Sequence, residues 1–238
     1  MPAPWVESLL SLAFPAACEI CGAPAPVYPV TGVCGRCESG IVLIPGPHCV
    51  SCGRGLKTET DRCSECWDKH FHFDRAFSCT PYEGKMKKLL HTYKFEGRKY
   101  LKHYFLKIMQ KFMEVSMDDL AWDAVAAVPL DPAKKRARGF NQSELLSAGI
   151  SAWRRLPDLS KHLKRRYAHE PQHRMAKSAR EQNVKGCFTV TNAEAFKLKR
   201  ILLVDDILTT GQTTSECART LKESGASSVI VLACARGI

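Results

Sequence analysis

The sequence predicts an α/β protein with a mostly parallel sheet and helices on both faces, preceded by a small cysteine-rich module. Nine of the twelve cysteines lie in the first 79 residues, whereas the net positive charge of the chain, +11, comes from the residues that follow. In that second part, short apolar runs rich in β-branched residues alternate with helical patterns, which is typical of buried parallel strands. We therefore expect two modules, residues 1–75 and residues 76–238.

The first stretch has apolar residues at helical spacing, Trp5, Leu9, Leu10 and Phe14. This spacing predicts a short amphipathic helix that packs on its neighbour. No apolar run approaches the roughly 20 residues needed to cross a bilayer. The first basic residue is Arg36, so the stretch lacks the positive region of a secretory signal.

A C-x-x-C pair then occurs four times, and the pairs are separated by 12, 11 and 10 residues. Zinc requires four ligands in a tetrahedron, and each C-x-x-C pair supplies two of them from one tight turn. The spacing predicts a double zinc ribbon that holds one or two structural Zn²⁺ ions. We assign one ion to Cys18, Cys21, Cys34 and Cys37, and the second to Cys49, Cys52, Cys63 and Cys66. Interleaved pairing and a single occupied site stay open, and a disulfide framework is the less favoured alternative.

The second module begins with a strand, AFSCTPY at 76–82, followed by two basic amphipathic helices that Gly97 separates. The apolar stripes of these helices are Met86, Leu89, Leu90 and Tyr93, then Leu101, Phe105, Ile108 and Phe112. Their opposite faces carry Lys85, Lys87, Lys88, Lys94, Arg98, Lys99 and Lys102. A solvated helix face is the simpler interpretation. The aromatic residues among these cations, Tyr93, Phe95, Tyr100 and Tyr104, would also suit single-stranded nucleic acid, although most of these rings are expected in the core.

A second buried strand, Trp122 to Leu130, runs into a basic loop at 131–138 and then a helix. Four cations of this loop lie where a polyanion could be bound: Lys134, Lys135, Arg136 and Arg138. Residues 161–187 are charged and weakly periodic, and we interpret them as a mobile basic flap over the cleft, with a functionally silent loop as the alternative. A strand at 188–190, a helix from Thr213 to about Ser224 and a strand at 229–235 complete the chain.

Residues 201–215, ILLVDDILTTGQTTS, form the most informative stretch. Four apolar residues predict a buried strand, and Asp205 and Asp206 follow at its carboxyl end, where open α/β sheets bind ligands. Thr209, Thr210, Gly211, Gln212 and Thr213 then precede or begin a helix, whose N–H groups and dipole suit a phosphate. Carboxylates beside a phosphate loop suit a sugar phosphate with Mg²⁺.

This stretch resembles the phosphoribosyl-pyrophosphate (PRPP) motif of type I phosphoribosyltransferases. Over nearly its whole length the sequence is similar to the ComF family of competence proteins. The resemblance rests on the four C-x-x-C pairs, RARGFNQ at 136–142, the Gln172, Arg180, Asn183 and Phe188 pattern, and VDDILTTGQT at 204–213. One departure is Gln212, where a small residue is common.

The resemblance implies a type I phosphoribosyltransferase domain after a zinc module, a cytoplasmic protein and a role in natural transformation. It also implies contact with single-stranded DNA and work alongside the competence helicase ComFA at the DNA-uptake machinery. Asp205 and Asp206 would contact the PRPP ribose hydroxyls and Mg²⁺, the Thr209–Thr213 loop the 5-phosphate, and the loop at 131–138 the pyrophosphate.

Three functions are consistent with these features. The first is a competence factor that binds single-stranded DNA and PRPP, which the charge excess and the zinc ribbons favour. The second is a phosphoribosyltransferase of nucleotide salvage, and the third is a non-catalytic adaptor that docks partners through its zinc ribbons. The fold alone does not decide among them, because one fold serves many functions.

Overall fold

A computed structural model describes residues 16–26, 31–58, 61–166 and 185–237. The strands of these residues are β1 (Arg75–Pro81), β2 (Ala124–Ala127), β3 (Leu163–Arg165), β4 (Phe188–Val190), β5 (Arg200–Leu208) and β6 (Ser228–Arg236). Four of them form a sheet in the order β1-β6-β5-β2, in which every neighbouring pair is parallel. The strands β3 and β4 form a separate antiparallel pair. The predicted α/β class with a parallel sheet is confirmed.

The α-helices are α1 (Gly35–Glu38), α2 (Gly84–Phe95), α3 (Lys102–Ser116), α4 (Pro132–Arg138), α5 (Gln142–Arg154) and α6 (Gln212–Glu223). Side chains alternate along β5, as they must in a strand. Leu202 and Val204 join an apolar cluster with α2, α3 and α5. Ile201 and Leu203 join a second cluster with α6 and the β3–β4 pair. Helices therefore cover both faces, and none of them, within the described ranges, is long and apolar enough to cross a membrane.

The segment after β2 differs from the prediction. The strand expected from Trp122 to Leu130 is limited to Ala124–Ala127, and the loop expected at 131–138 is the helix α4. The Asp131 carboxylate accepts hydrogen bonds from the N–H groups of Ala133 and Lys134 at 3.0 and 3.2 Å. Proline at the first helical position and Gly139 at φ 75° after the last one complete the helix signals. The predicted loop is wrong, because these caps at both ends stabilise the basic run as a helix.

The cysteine-rich region packs directly on the helices of the α/β domain. Cys18, Cys34 and Cys37 belong to the same buried cluster as α2 and α3. The Lys88 ammonium group donates a hydrogen bond to the Ile20 carbonyl at 2.7 Å. Lysines that were expected on a solvated face of α2 therefore help to attach the first ribbon.

Two predicted segments fall largely outside the described residues. They are the N-terminal amphipathic helix and residues 167–184 of the predicted flap. The described ends of the flap carry β3 and lead into β4. The apolar stripes of α2 and α3 are buried as predicted.

Candidate functional site

A cavity of about 430 Å³ opens at the carboxyl edge of the sheet. The pairing of β2 with β5 ends at Ala127 and Val204, whereas β5 continues beside β6 to Leu208. The strand β5 is thus longer than the sequence predicted, and its last residues face a gap that β2 no longer fills. Such a crevice is where open α/β sheets bind their ligands.

The paired carboxylates lie in this cavity. Asp205 accepts hydrogen bonds from the Ser143 hydroxyl at 3.0 Å and from the Asp206 N–H at 2.9 Å, both on Oδ1. Burial and, next, the negative charge of Asp206 raise the pKa of Asp205 to about 7, although Lys94 and these hydrogen bonds oppose the rise. The pair thus forms a compact negative site that a cation would stabilise.

Lys94, near the end of α2, already supplies such a cation. Its ammonium nitrogen lies 2.7 Å from Asp206 Oδ1, and the two side chains are only 16% and 11% exposed. From the sequence, this lysine is only one of the cations opposite the apolar stripe of its helix. No local signal separates it from its neighbours, because its role depends on a contact with β5 that forms only in the folded chain.

The hydroxyl-rich loop forms another part of the cavity lining. Thr209, Thr210, Gly211 and Thr213 line the cavity, whereas Gln212 is not among the lining residues. Gly211 has φ 80° and directly precedes α6, so a residue with a Cβ would be strained there. A Cβ would also lie 2.8 Å from a ring carbon of Phe71. The first N–H groups of α6 have no partner within the helix and are oriented for an anion.

The predicted basic segment contributes only in part. Lys134 and Arg138 of α4 line the cavity. Lys135 instead forms an ion pair with Glu144 at 2.7 Å, and together with Arg136 it faces a neighbouring groove. Because α4 is a helix, successive cations point in different directions. The helix therefore divides the four cations between the cavity and the neighbouring groove. Arg165 of β3 also lines the cavity, although the sequence interpretation assigned no ligand contact to it.

Gln142, the first residue of α5, offers an unused donor to the same cavity. Its side chain is 1% exposed, and its Oε1 atom accepts a hydrogen bond from Arg138 at 3.1 Å. Its Nε2 group is buried and has no hydrogen-bond partner among the described residues. Buried donors are normally satisfied, so this amide is suited to an acceptor oxygen of a ligand.

The eight cysteines of the C-x-x-C pairs form two separate groups. In each group the four sulfur atoms lie within 4.8 Å of one another: Cys18, Cys21, Cys34 and Cys37, then Cys49, Cys52, Cys63 and Cys66. The grouping is consecutive, as assigned from the sequence, and not interleaved. The Cys21–Cys34 and Cys52–Cys63 sulfur distances are 3.7 and 3.8 Å. A tetrahedron with bonds of about 2.3 Å to zinc has edges of about 3.8 Å.

The protonation of these thiols also fits a metal site. The hydrogen bond from Cys52 lowers the pKa of Cys49 to about 4, and backbone hydrogen bonding lowers the pKa of Cys21 to about 6. Burial raises the pKa of Cys37 to about 12. In each group, thiols with such different pKa values compete for protons. A divalent cation would hold all four sulfurs of a group as thiolates. His48 is not needed as a ligand, because its ring is buried against Phe77 and Phe112.

Arg236, the last residue of β6, joins the second cysteine group to the phosphate loop. Its guanidinium donates hydrogen bonds to the carbonyls of Leu208 and Thr209 at 3.2 and 2.8 Å. The guanidinium also acts on the Cys52 thiol, where it opposes the rise of the pKa that the neighbouring Cys49 and burial cause. The side chain is almost fully buried. Nothing in the sequence marks this arginine, because its three partners come together only in the folded chain.

Comparisons with known proteins agree with this arrangement. Residues 133–237 match the model of the phosphoribosyl transferase domain, and residues 9–67 match that of the double zinc ribbon domain. Competence protein F of Haemophilus influenzae is 26% identical over 86% of this chain and 90% of its own length. Competence protein ComFC of Streptococcus pneumoniae is 28% identical over 83% of this chain and 84% of its own. The predicted resemblance to the ComF family of competence proteins is confirmed over most of the chain.

A third relative of this chain is the DNA utilization protein YhgH of Escherichia coli K12, which is 27% identical over 85% of the chain and 96% of its own length. Among solved structures, adenine phosphoribosyltransferase of Thermoanaerobacter pseudethanolicus is 14% identical with a TM-score of 0.38, over 64% of this chain and 86% of that one. Glutamine PRPP amidotransferase of B. subtilis is 20% identical with a TM-score of 0.37, over 55% of this chain. This chain spans only 26% of the length of the latter enzyme.

Proposed function

We propose that this protein is a competence factor for DNA uptake that binds PRPP with Mg²⁺ in the cavity and binds single-stranded DNA. The observation that carries the PRPP proposal is the cavity itself. It combines a carboxylate pair, of which Asp206 is buried, a threonine loop at a helix N-terminus and two cations of α4. Each part of PRPP has a chemically matching wall there.

In this proposal Asp205 and Asp206 contact the ribose hydroxyls, and their oxygens suit Mg²⁺, which takes carboxylate ligands together with substrate phosphates. The 5-phosphate lies on the Thr209–Thr213 loop. Lys134 and Arg138 face the pyrophosphate. The Nε2 group of Gln142, which has no partner among the described residues, donates to one of its oxygens. When bound, Mg²⁺ would neutralise charge on the pyrophosphate. Lys94 neutralises Asp206 while that metal is absent.

Isothermal titration with Mg²⁺-PRPP tests this site. We expect the double variant Asp205→Asn/Asp206→Asn to lose binding, because the neutral amides hold neither the metal nor the ribose hydroxyls as strongly. The chain offers a matched control in Asp118 and Asp119, an adjacent acidic pair that is exposed after α3. The control Asp118→Asn/Asp119→Asn keeps wild-type affinity. Equal affinity of all three proteins for PRPP would refute the site.

The nucleic-acid part of the proposal is supported by the net charge of +11 and by relatives named as competence and DNA utilization proteins. Lys and Arg side chains that neutralise phosphates release counterions, so affinity falls steeply with salt. We expect fluorescence anisotropy of a labelled single-stranded oligonucleotide to show this steep inverse dependence. Binding that is insensitive to salt between low and moderate concentrations would contradict the proposal.

We further propose that the zinc ribbons dock a protein partner, the competence helicase ComFA, at the cytoplasmic face of the membrane. Trp67 supports this proposal, because its side chain lies directly after Cys66 and is 70% exposed. Exposed tryptophans are frequent hot spots of interfaces. Trp67→Ala should therefore reduce co-purification of the helicase while the zinc content stays unchanged. Undiminished co-purification would place the contact elsewhere.

A further inference from the structure

Phe95 is an exposed aromatic residue beside Lys94 and Arg138, two residues that line the cavity. It ends α2, directly after Lys94, which reaches Asp206 inside. Its side chain is 61% exposed, whereas Tyr93 and Tyr104, which belong to the same aromatic pattern in the sequence, are buried. Of that pattern, Phe95 therefore presents the most accessible ring surface next to the cavity. An exposed ring at this position contributes little to the core.

Two groups that favour nucleic acid surround the ring. The Arg138 guanidinium carbon lies 4.8 Å from the centre of the Phe95 ring, and Arg138 also lines the cavity. The imidazole ring of His91, one helical turn earlier, lies 4.7 Å away at an interplanar angle of 45°. A flat apolar ring flanked by a guanidinium and an imidazole is the arrangement on which bases stack, while the cation serves the adjacent phosphate.

We propose that Phe95, with Arg138 and His91, forms a stacking platform for a nucleobase of single-stranded DNA at the mouth of the cavity. This inference rests on the proposed binding of single-stranded DNA and names the residues that hold one of its bases. The base lies on the exposed part of the Phe95 ring, and a neighbouring phosphate meets Arg138. The platform and the PRPP-binding cavity share Arg138, so the strand passes beside the bound sugar phosphate.

Charge supports DNA as the occupant rather than a hydrophobic peptide. Arg98 and Lys99, which follow Phe95 closely in the chain, are exposed, and the lining of the adjoining cavity includes Lys134 and Arg165. A hydrophobic peptide segment would bring no negative charge to these cations. A polyanion with aromatic bases satisfies both the ring and the cations.

The test compares labelled oligothymidylate with an abasic oligonucleotide of equal length, which keeps the phosphates and lacks the bases. We expect the wild-type protein to bind oligothymidylate more tightly. Phe95→Leu should weaken that binding by about fivefold or more, as expected when one stacked base is lost. It should leave the affinity for the abasic strand and the salt dependence unchanged. Phe95→Trp retains binding, and the control Val115→Ala, at a 74% exposed position of α3, has no effect on either strand.

Two results would overturn the platform. The first is the absence of any base contribution at Phe95. It would be seen as an unchanged affinity of Phe95→Leu for oligothymidylate, or as a wild-type protein that binds both strands equally or binds neither. The second is binding of free adenine or uracil that depends on Phe95 while oligothymidylate does not bind, which would assign the ring to a free base. The two oligonucleotides also separate the two proposals. Equal binding of both strands refutes the platform alone, whereas binding of neither strand refutes the proposed binding of single-stranded DNA as well.

Discussion

The Lys94–Asp206 ion pair lies inside the cavity, and replacing the lysine gives a large and calculable effect. The two charged groups are 2.7 Å apart and mostly buried. At an effective dielectric constant of about 20, opposite unit charges at this distance attract by about 6 kcal/mol. Part of that attraction offsets the desolvation of both groups. Removing one partner of a buried pair lowers the free energy of unfolding by about 3–5 kcal/mol, and we expect this loss for Lys94→Met.

The stability lost in Lys94→Met should depend on pH, and the protonation of Asp205 determines the direction. Its pKa in the folded chain is about 7, above the ordinary value of 3.8. Between these values the folded chain holds a proton that the unfolded chain has released, so this group makes stability fall as pH rises toward 7. Well above 7 both carboxylates are charged and depend most on Lys94. The effect of Lys94→Met should therefore be larger at about pH 8 than at about pH 6.

Urea unfolding at both pH values measures this effect. Lys87→Met is the matched control, because Lys87 is an exposed lysine of the same helix and its loss should change stability by less than about 0.5 kcal/mol. In a double-mutant cycle, Asp206→Asn should remove most of the cost of Lys94→Met. The reasoning would be refuted if Lys94→Met and Lys87→Met were equally mild, or if the double-mutant cycle showed no coupling.

Three further predictions concern the elements around the cavity. Arg236→Met should weaken PRPP binding, measured by titration, and should release zinc from the second cysteine group more readily, measured by metal retention against a chelator. Arg236→Lys should restore part of both properties. If Arg236→Met changes neither, the loop is held by other contacts. Asp131→Ala should lower the free energy of unfolding by about 1 kcal/mol through loss of the α4 cap, and urea unfolding that matches wild type would contradict the cap. Elemental analysis should find two zinc ions per chain, and chelation should lower the melting temperature; a ratio near one would limit occupancy to a single group.

The sequence was sufficient for the parts of the site that are local in the chain. The apolar strand, Asp205 and Asp206 and the threonine loop are consecutive, so one stretch predicts them together. The cysteine groups have the same advantage, because each C-x-x-C pair makes one turn and the pairs follow one another at similar spacing. Consecutive grouping then requires only neighbouring turns to meet.

The parts that escaped prediction depend on long-range contacts. Lys94 acquires its role only when α2 meets β5, and Arg236 only when β6 ends beside the phosphate loop. In the sequence, Gln142 is only one residue of the RARGFNQ stretch. That its Nε2 group has no partner among the described residues follows from its burial at the start of α5. The helix α4 is a different case. Its caps, Asp131 and Gly139, were in the sequence, and the basic run between them was interpreted as a loop.

The central claim is that the cavity holds the two ends of PRPP on different walls, and competition titrations with its halves test it most directly. Ribose 5-phosphate and Mg²⁺-pyrophosphate should each bind and each compete with PRPP. Thr213→Val should weaken the binding of ribose 5-phosphate and spare pyrophosphate, whereas Lys134→Met should do the reverse. If neither half competes with PRPP, or if both substitutions affect the two halves equally, the assignment of the two walls is contradicted.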